Sequence, residues 1–592
     1  MAEQNSESSV FIGRVGAAGQ VEDAFADEPQ RFAVAASVPR GAWGRFRLDD
    51  GTATLQGAPL APPGSALADL YALAARRRLT PLHPPAVMAE TAAVVADPGI
   101  DDPALEDLTH LPFVTIDEVH SRDLDQALFI ERQGDGFTVW YAIADPAWSI
   151  RPGTALFAEA LRRGATYYLP GLVIPMLPKE LSEDTVSLNP DVDRRAMVFE
   201  VILDADGRVE HTRIHRARVR SRVKTAYDLV QAYFDGTAPL AGADVAGVAE
   251  SLQLLAEVGQ RRMALAEARD VVSLRRSEIA VSLAGHEGLR FVAMADPRND
   301  VERYNEQISL LCNVEGARFL KRGDRHDDGV QPIYRVHDAP APARLDELAD
   351  QIAALVELRG LDADLWSWRR GRGSLADYLR ALPESGPEAR LARSIHRQAM
   401  LVGGRSQFAT VPGIHYGVGA EVYGRFTAPM REIVGIFEHK ETWEKLGLER
   451  APSAGDDEAL REQIVAASNA ARQTQRKLDR EVNRRVLDQL FADDLRRDRD
   501  DRPRRRGTVM GVSRSKVHVS LDQPPVDVKV YIHHLKRQLG GRLGQGRDRM
   551  TLRRFEDGAE VHTVGDEVSL QVRDRDRQRD RWELEIHPTV ED

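Results

Sequence analysis

Cysteine is almost missing from this chain: Cys312 is the single one among 592 residues. One thiol cannot close an internal disulfide or supply the clustered sulfur ligands of a zinc site, and a buried bystander is its expected role. Nor is there any run of about 18 apolar residues, the length a membrane-spanning helix needs. The start, Met1–Val10, is polar and acidic and lacks the apolar stretch of a secretory signal, so the expected location is the cytoplasm. Low-complexity linkers are likewise missing between Leu111 and about Leu495. What is present is ordinary globular material: 42% apolar and 29% charged residues exclude a largely disordered chain. The length exceeds what one core organises, so three or four domains are expected.

A net charge of -12 argues against a surface that grips nucleic acid everywhere. The distribution is uneven, however. Between Pro503 and Phe555 thirteen Lys and Arg face three Asp and Glu. A basic segment on an acidic chain is the electrostatic footprint of a polyanion partner.

Three regions follow from local patterns. Over residues 1–100, short apolar runs at Val10–Val15, Arg31–Val38 and Ala42–Leu55 predict strands, with a hairpin turn at Asp49-Asp50-Gly51. A helix capped by Ser65 carries Leu67, Leu70, Tyr71 and Ala74 on one face, and a second spans Ala86–Val95 after Pro84-Pro85. Together they predict a small α+β module of winged-helix type. Over 101–495 strands are expected at Phe113–Ile116, Ala127–Ile130, Phe137–Ala142 and Met197–Ile202, with helices around Leu345–Leu355 and Ala459–Leu495. Over 503–592 five strands, Gly507–Val512, Lys516–Leu521, Val526–Ile532, Glu567–Val572 and Trp582–Ile586, predict an OB barrel with a basic excursion after the third.

The chemistry concentrates in Asp117-Glu118-Val119-His120-Ser121-Arg122-Asp123-Leu124-Asp125-Gln126, which follows a strand and puts three aspartates in one short loop. Hard divalent cations take oxygen ligands, and phosphoryl chemistry uses such ions to neutralise the attacked phosphate. An acidic loop alone is more often solvated or a calcium turn, although this one lacks the glycine and terminal glutamate of an EF-hand.

The loop resembles the aspartate-rich motif of the ribonuclease II and ribonuclease R family of exoribonucleases. Further matches follow in the family's order: Tyr141-Ala142-Ile143-Ala144-Asp145, Tyr168-Leu169-Pro170-Gly171, Ile174-Pro175-Met176-Leu177-Pro178, Leu181-Ser182-Glu183-Asp184, Ser187-Leu188-Asn189-Pro190, Tyr334-Arg335-Val336-His337-Asp338-Ala339-Pro340 and Thr427-Ala428-Pro429-Met430-Arg431. They span roughly residues 111–490, and the last region resembles the family's S1 domain.

The resemblance implies a multidomain α+β protein, with an RNB catalytic domain between the N-terminal module and the S1-type OB barrel. It implies a 3′-to-5′ exoribonuclease, processive and indifferent to sequence, in which water attacks the last phosphodiester of single-stranded RNA and a nucleoside 5′-monophosphate leaves. Magnesium, with manganese as an alternative, would be held by Asp117, Asp123, Asp125 and Gln126, where Asp125 is also catalytic. Arg431 would stabilise the attacked phosphate, Tyr168 and Tyr227 would stack on bases, and Glu306 and Asp479 would contact the last nucleotide. A monomer acting on RNA 3′ ends, without a membrane, is the implied partner state. Departures are also visible: Gln126 replaces a fourth aspartate, Glu432-Ile433 replaces an arginine-tyrosine pair, and Gly435 stands where an aspartate is common. Bacterial members usually begin with two cold-shock modules, for which about a hundred residues leave room for one. The alternative is a catalytically impaired RNA-binding regulator.

Overall fold

The computed structural model describes residues 9–17, 19–28, 30–269, 278–285, 288–321, 329–449 and 454–587. At the N-terminal end, strands Ser9–Val15, Gln20–Asp23, Gln30–Val34, Trp43–Asp49 and Thr52–Leu55 close into a barrel around Phe11, Val15, Val21, Phe46 and Ala53. The winged-helix arrangement is thereby corrected: Gln30–Val34 pairs in parallel with Thr52–Leu55 and seals the sheet on itself. Asp50 and Gly51 both adopt positive φ, which a two-residue hairpin turn with the right twist demands. Ser65 caps the helix Ala66–Arg76 by accepting the Ala68 N–H at 3.0 Å, and the next helix is Pro85–Ala96.

The central sheet runs in the order Asp193–Leu203, Gly136–Ala144, Gln126–Gln133, Phe113–Asp117, Val209–Ala226, Glu106–Asp107. Asp193–Leu203 also pairs with Val209–Ala226, so the sheet curls back on itself. The expected strands lie inside the observed ones, and the 18-residue strand Val209–Ala226 is an addition to them. Helices Val248–Glu267 and Asp300–Lys321 cover one face, where Leu252, Leu255, Ile308, Leu311 and Cys312 are buried. A 42-residue helix, Ala454–Leu495, ends this region.

Beyond it, strands Arg505–Val512, Lys516–Leu521, Asp527–Tyr531, Glu567–Asp576 and Arg581–His587 form one sheet in which Asp527–Tyr531 and Arg581–His587 are the edges. The edges approach one another beside the helix Ile532–Leu539. The basic excursion holds that helix and a three-stranded meander, Leu543–Gln545, Thr551–Arg554 and Glu560–Thr563. Among the described residues, no helix is long and apolar enough to cross a membrane.

Candidate active site

The aspartate loop joins Phe113–Asp117 to Gln126–Gln133, and backbone anchoring fixes its path. Ser187 Oγ accepts the Leu124 N–H at 3.0 Å and donates to the Arg122 carbonyl at 2.7 Å, while the Leu188 N–H reaches the Leu124 carbonyl. The Ser187-Leu188 motif therefore acts as a clamp on the loop. Asp117 Oδ1 accepts from the Glu118 N–H at 2.8 Å and Ser121 Oγ at 3.0 Å.

Asp125 is 2% exposed and receives two donors from a segment some three hundred residues away. Its Oδ1 accepts the Met430 N–H at 3.0 Å and its Oδ2 accepts Arg431 Nε at 2.5 Å. Burial pushes the Asp125 carboxyl up to about 6, against the pull of Arg431 and the Met430 N–H. Burial also raises Asp123, with Arg431 opposing and Asp117 adding repulsion. Burial works against the Arg431 charge, yet Asp125 leads a group of acidic partners that hold its proton more firmly than usual.

The segment bearing Arg431 is held by Asn313, which sequence reasoning missed. Asn313 Oδ1 accepts the Phe426 and Thr427 N–H groups at 2.7 and 3.3 Å, and Nδ2 donates to Thr427 Oγ1 at 3.0 Å. The residue is wholly buried, so every polar atom of its amide counts. Asn305 and Glu315 are buried on the same helix, so a polar residue at position 313 gave no distinguishing signal in the sequence.

Gln126 sits elsewhere in the polar network. Its Nε2 donates to the Thr427 carbonyl, and its Oε1 accepts Tyr141 Oη at 2.7 Å. Tyr141 in turn hydrogen-bonds Ser309 Oγ at 2.7 Å. With both ends of its amide engaged by protein groups, Gln126 links the central sheet to the arginine segment. The other departures also have physical reasons. Glu432 accepts Arg425 Nε at 2.8 Å, and a Cβ at Gly435 would come within 2.8 Å of Pro429 Cα, so no side chain fits there.

Tyr227 opens the helix Tyr227–Phe234, and its hydroxyl accepts Asn305 Nδ2 at 3.2 Å. Burial raises its phenol to about 12, with the Asp117 charge the next cause. Tyr168 is 44% exposed, and its hydroxyl lies 3.5 Å from Asp123 Oδ2. Gln475 grips Tyr168 through both backbone groups, at 3.0 and 2.8 Å, and donates to Asp479 Oδ1 at 2.7 Å. Asp479 thus joins the site through Gln475. Glu306 is not brought in by any described hydrogen bond: its carboxylate pairs with Arg298 at 3.2 Å.

Oxygen donors, mutual repulsion and a single pairing arginine suit a hard divalent cation. Asp117 and Asp123 have oxygens free for it, whereas Asp125 is committed to Arg431 and Met430. The three do not bring one oxygen each within 4.8 Å as a set; among the described residues that spacing is met by His534, Asp576 and Glu583 and by Glu441, Glu444 and Asp457. The latter trio already holds Lys440 Nζ, at 2.8 to 2.9 Å.

The RNB domain family model matches residues 105–437, more than half of the chain. This chain belongs to the RNB domain family. Exoribonuclease 2 of Escherichia coli O17:K52:H18 is 32% identical over 420 residues, covering 70% of this chain and 61% of its own. The chain therefore spans about three fifths of the length of the curated relatives it matches. Among solved structures, Mycoplasma genitalium RNase R in complex with ribose-methylated single-stranded RNA aligns over 99% of this chain and 90% of that one, with TM-score 0.77 and 18% identity. Yeast Ssd1, described as a pseudonuclease, aligns with TM-score 0.59 and 11% identity over 97% of this chain and 68% of that one. These likenesses establish the RNB fold around the aspartate loop and Arg431.

Proposed function

We propose that this RNB protein is a 3′-to-5′ exoribonuclease that hydrolyses single-stranded RNA to nucleoside 5′-monophosphates, working as a cytoplasmic monomer. The observation that carries the reading is the buried contact of Arg431 with Asp125, which fixes a guanidinium beside a carboxylate loop. Magnesium held by Asp117 and Asp123 would supply neutralisation of the attacked phosphate. Arg431 offers its remaining N–H groups to charge that develops on the phosphate oxygens. Tyr168, whose hydroxyl lies 3.5 Å from Asp123 Oδ2, and Tyr227 would offer aromatic rings for bases, which favours binding without regard to sequence. The 2′-hydroxyl is the group by which RNA would be preferred over DNA. Residues 1–100 and 503–592 would act as RNA-binding modules flanking a catalytic region over 101–495, and the basic stretch from Pro503 to Phe555 supports the second of them.

The test is RNA labelled at one end or the other, incubated with magnesium or with a chelator. Attack from the 3′ end predicts immediate mononucleotide release from a 3′ label and a shortening ladder from a 5′ label, both stopped by the chelator. A second reading, an RNA-binding regulator without hydrolysis, is favoured by the engagement of Gln126 with Tyr141 where the family usually has a carboxylate. It predicts RNA binding and no release in either arm.

A further inference from the structure

A cavity of about 260 Å³ opens next to Arg431, between the Tyr168 hairpin and the helix Ala454–Leu495. Four arginines line it, Arg335, Arg425, Arg431 and Arg472, against one acid, Glu432. Two of the four are already neutralised, Arg431 by Asp125 and Arg425 by Glu432. The other two have no carboxylate partner among the described residues and share one hydroxyl: Arg335 Nε and Arg472 Nη2 lie 3.3 and 3.2 Å from Ser406 Oγ. Two donors are left over. Among the described residues, Arg472 Nη1 is buried without a hydrogen-bond partner, and so is Oγ of Ser468, a cavity-lining residue 2% exposed.

Unpaired buried donors and adjacent like charges are both costly unless an anion completes them. Burial and the neighbouring Arg335 pull Arg472 down to about 10, and burial with Arg425 lowers Arg335 in the same way. Two uncompensated guanidiniums match a phosphate monoester, which carries about -1.5 to -2 at pH 7, better than the single charge of a backbone diester. At about 30 Å³ per water-sized group, the space exceeds what a bare phosphate fills. Tyr168, on the rim, offers an aromatic face to the remainder.

We propose that this cavity is a binding site for a nucleoside 5′-monophosphate, whose phosphate is held by Arg335, Arg472 and Ser468. The ligand class deepens the proposed exoribonuclease reading, because that reaction generates such monoesters beside Arg431. Occupation of the site would retain product and slow the next cycle.

The test is equilibrium binding to the full chain in a chelator, where no turnover occurs, so that a failed nuclease reading leaves the result interpretable. Adenosine 5′-monophosphate, adenosine and a single-stranded oligonucleotide with a 3′-hydroxyl are titrated against wild type, Arg472→Gln and Ser468→Ala. The monophosphate should bind wild type about tenfold or more tightly than adenosine, and each variant should lose most of that difference. Arg472→Gln should melt no lower than wild type, because it removes one of two repelling cations. Equal binding of the monophosphate and adenosine to wild type overturns the proposal. So does undiminished monophosphate affinity in Ser468→Ala, and so do variants that weaken only the oligonucleotide, which would make the cavity part of the strand's path.

Discussion

Arg431 Nε lies 2.5 Å from Asp125 Oδ2, a contact between residues 306 positions apart that ties the aspartate loop to the arginine segment. Asp125→Asn keeps the shape and an acceptor for the Met430 N–H, but it turns the partner of Arg431 into a neutral group. We expect RNA affinity close to wild type and a fall in hydrolysis of about 10²-fold or more, the magnitude that loss of a fixed transition-state donor has, because Arg431 is no longer held in place. Single-turnover rates with binding measured in parallel check this, and near-normal rates would remove Asp125 from the mechanism.

Gln126→Asp should not tighten magnesium. The amide bridges Tyr141 and the Thr427 carbonyl, and a carboxylate would set an acceptor against that carbonyl. The expected outcome is destabilisation of about 1–3 kcal/mol, the cost of an unsatisfied buried polar group, with no lower magnesium midpoint. A magnesium titration beside a thermal melt decides the matter: a lower midpoint at unchanged stability would return position 126 to the metal ligands.

Tyr227→Ala should loosen the last nucleotide by about 1–3 kcal/mol of stacking and leave a longer final fragment. Gel analysis of the limit product measures this, and an unchanged limit length would separate Tyr227 from the RNA.

His415 is 7% exposed, and neither ring nitrogen has a hydrogen-bond partner among the described residues. Burial, aided by Arg335, lowers its pKa to about 3. The folded state therefore binds fewer protons than the unfolded chain between about 6.5 and about 3, so stability falls as pH drops through that window. His415→Gln should flatten the dependence of melting temperature on pH there. An identical slope in the variant would contradict this account of the residue.

The site was legible in the sequence where function imposes residue type at short spacing: the aspartate loop, the segment ending at Arg431 and the Ser187-Leu188 clamp all sit in contiguous motifs. The five C-terminal strands were legible because their apolar alternation is clean. Val209–Ala226 was not, although Ala217, Val219 and Val223 alternate with Arg216, Arg218, Arg220 and Arg222, because so few of its residues are apolar that the segment reads as a solvated charge run. Several of these charges are matched by carboxylates on paired strands, as Arg218 is by Asp107 and Arg220 by Asp193. Closure of the N-terminal barrel depends on the parallel pairing of Ala33 with Thr52, which no local pattern encodes. Asn313 and Gln126 show the same limit within the site, since an amide's role is set by the partners that the fold brings to it.

The most direct test of the central claim is hydrolysis of a single-stranded RNA with a free 3′-hydroxyl in water enriched in oxygen-18, with magnesium, followed by mass analysis of the small products. The account predicts nucleoside 5′-monophosphates that each carry one solvent oxygen on phosphorus, released from the 3′ end by wild type and not by Asp125→Asn. Nucleoside 3′-phosphates, cyclic phosphates, or RNA bound and left intact by the wild type would contradict it.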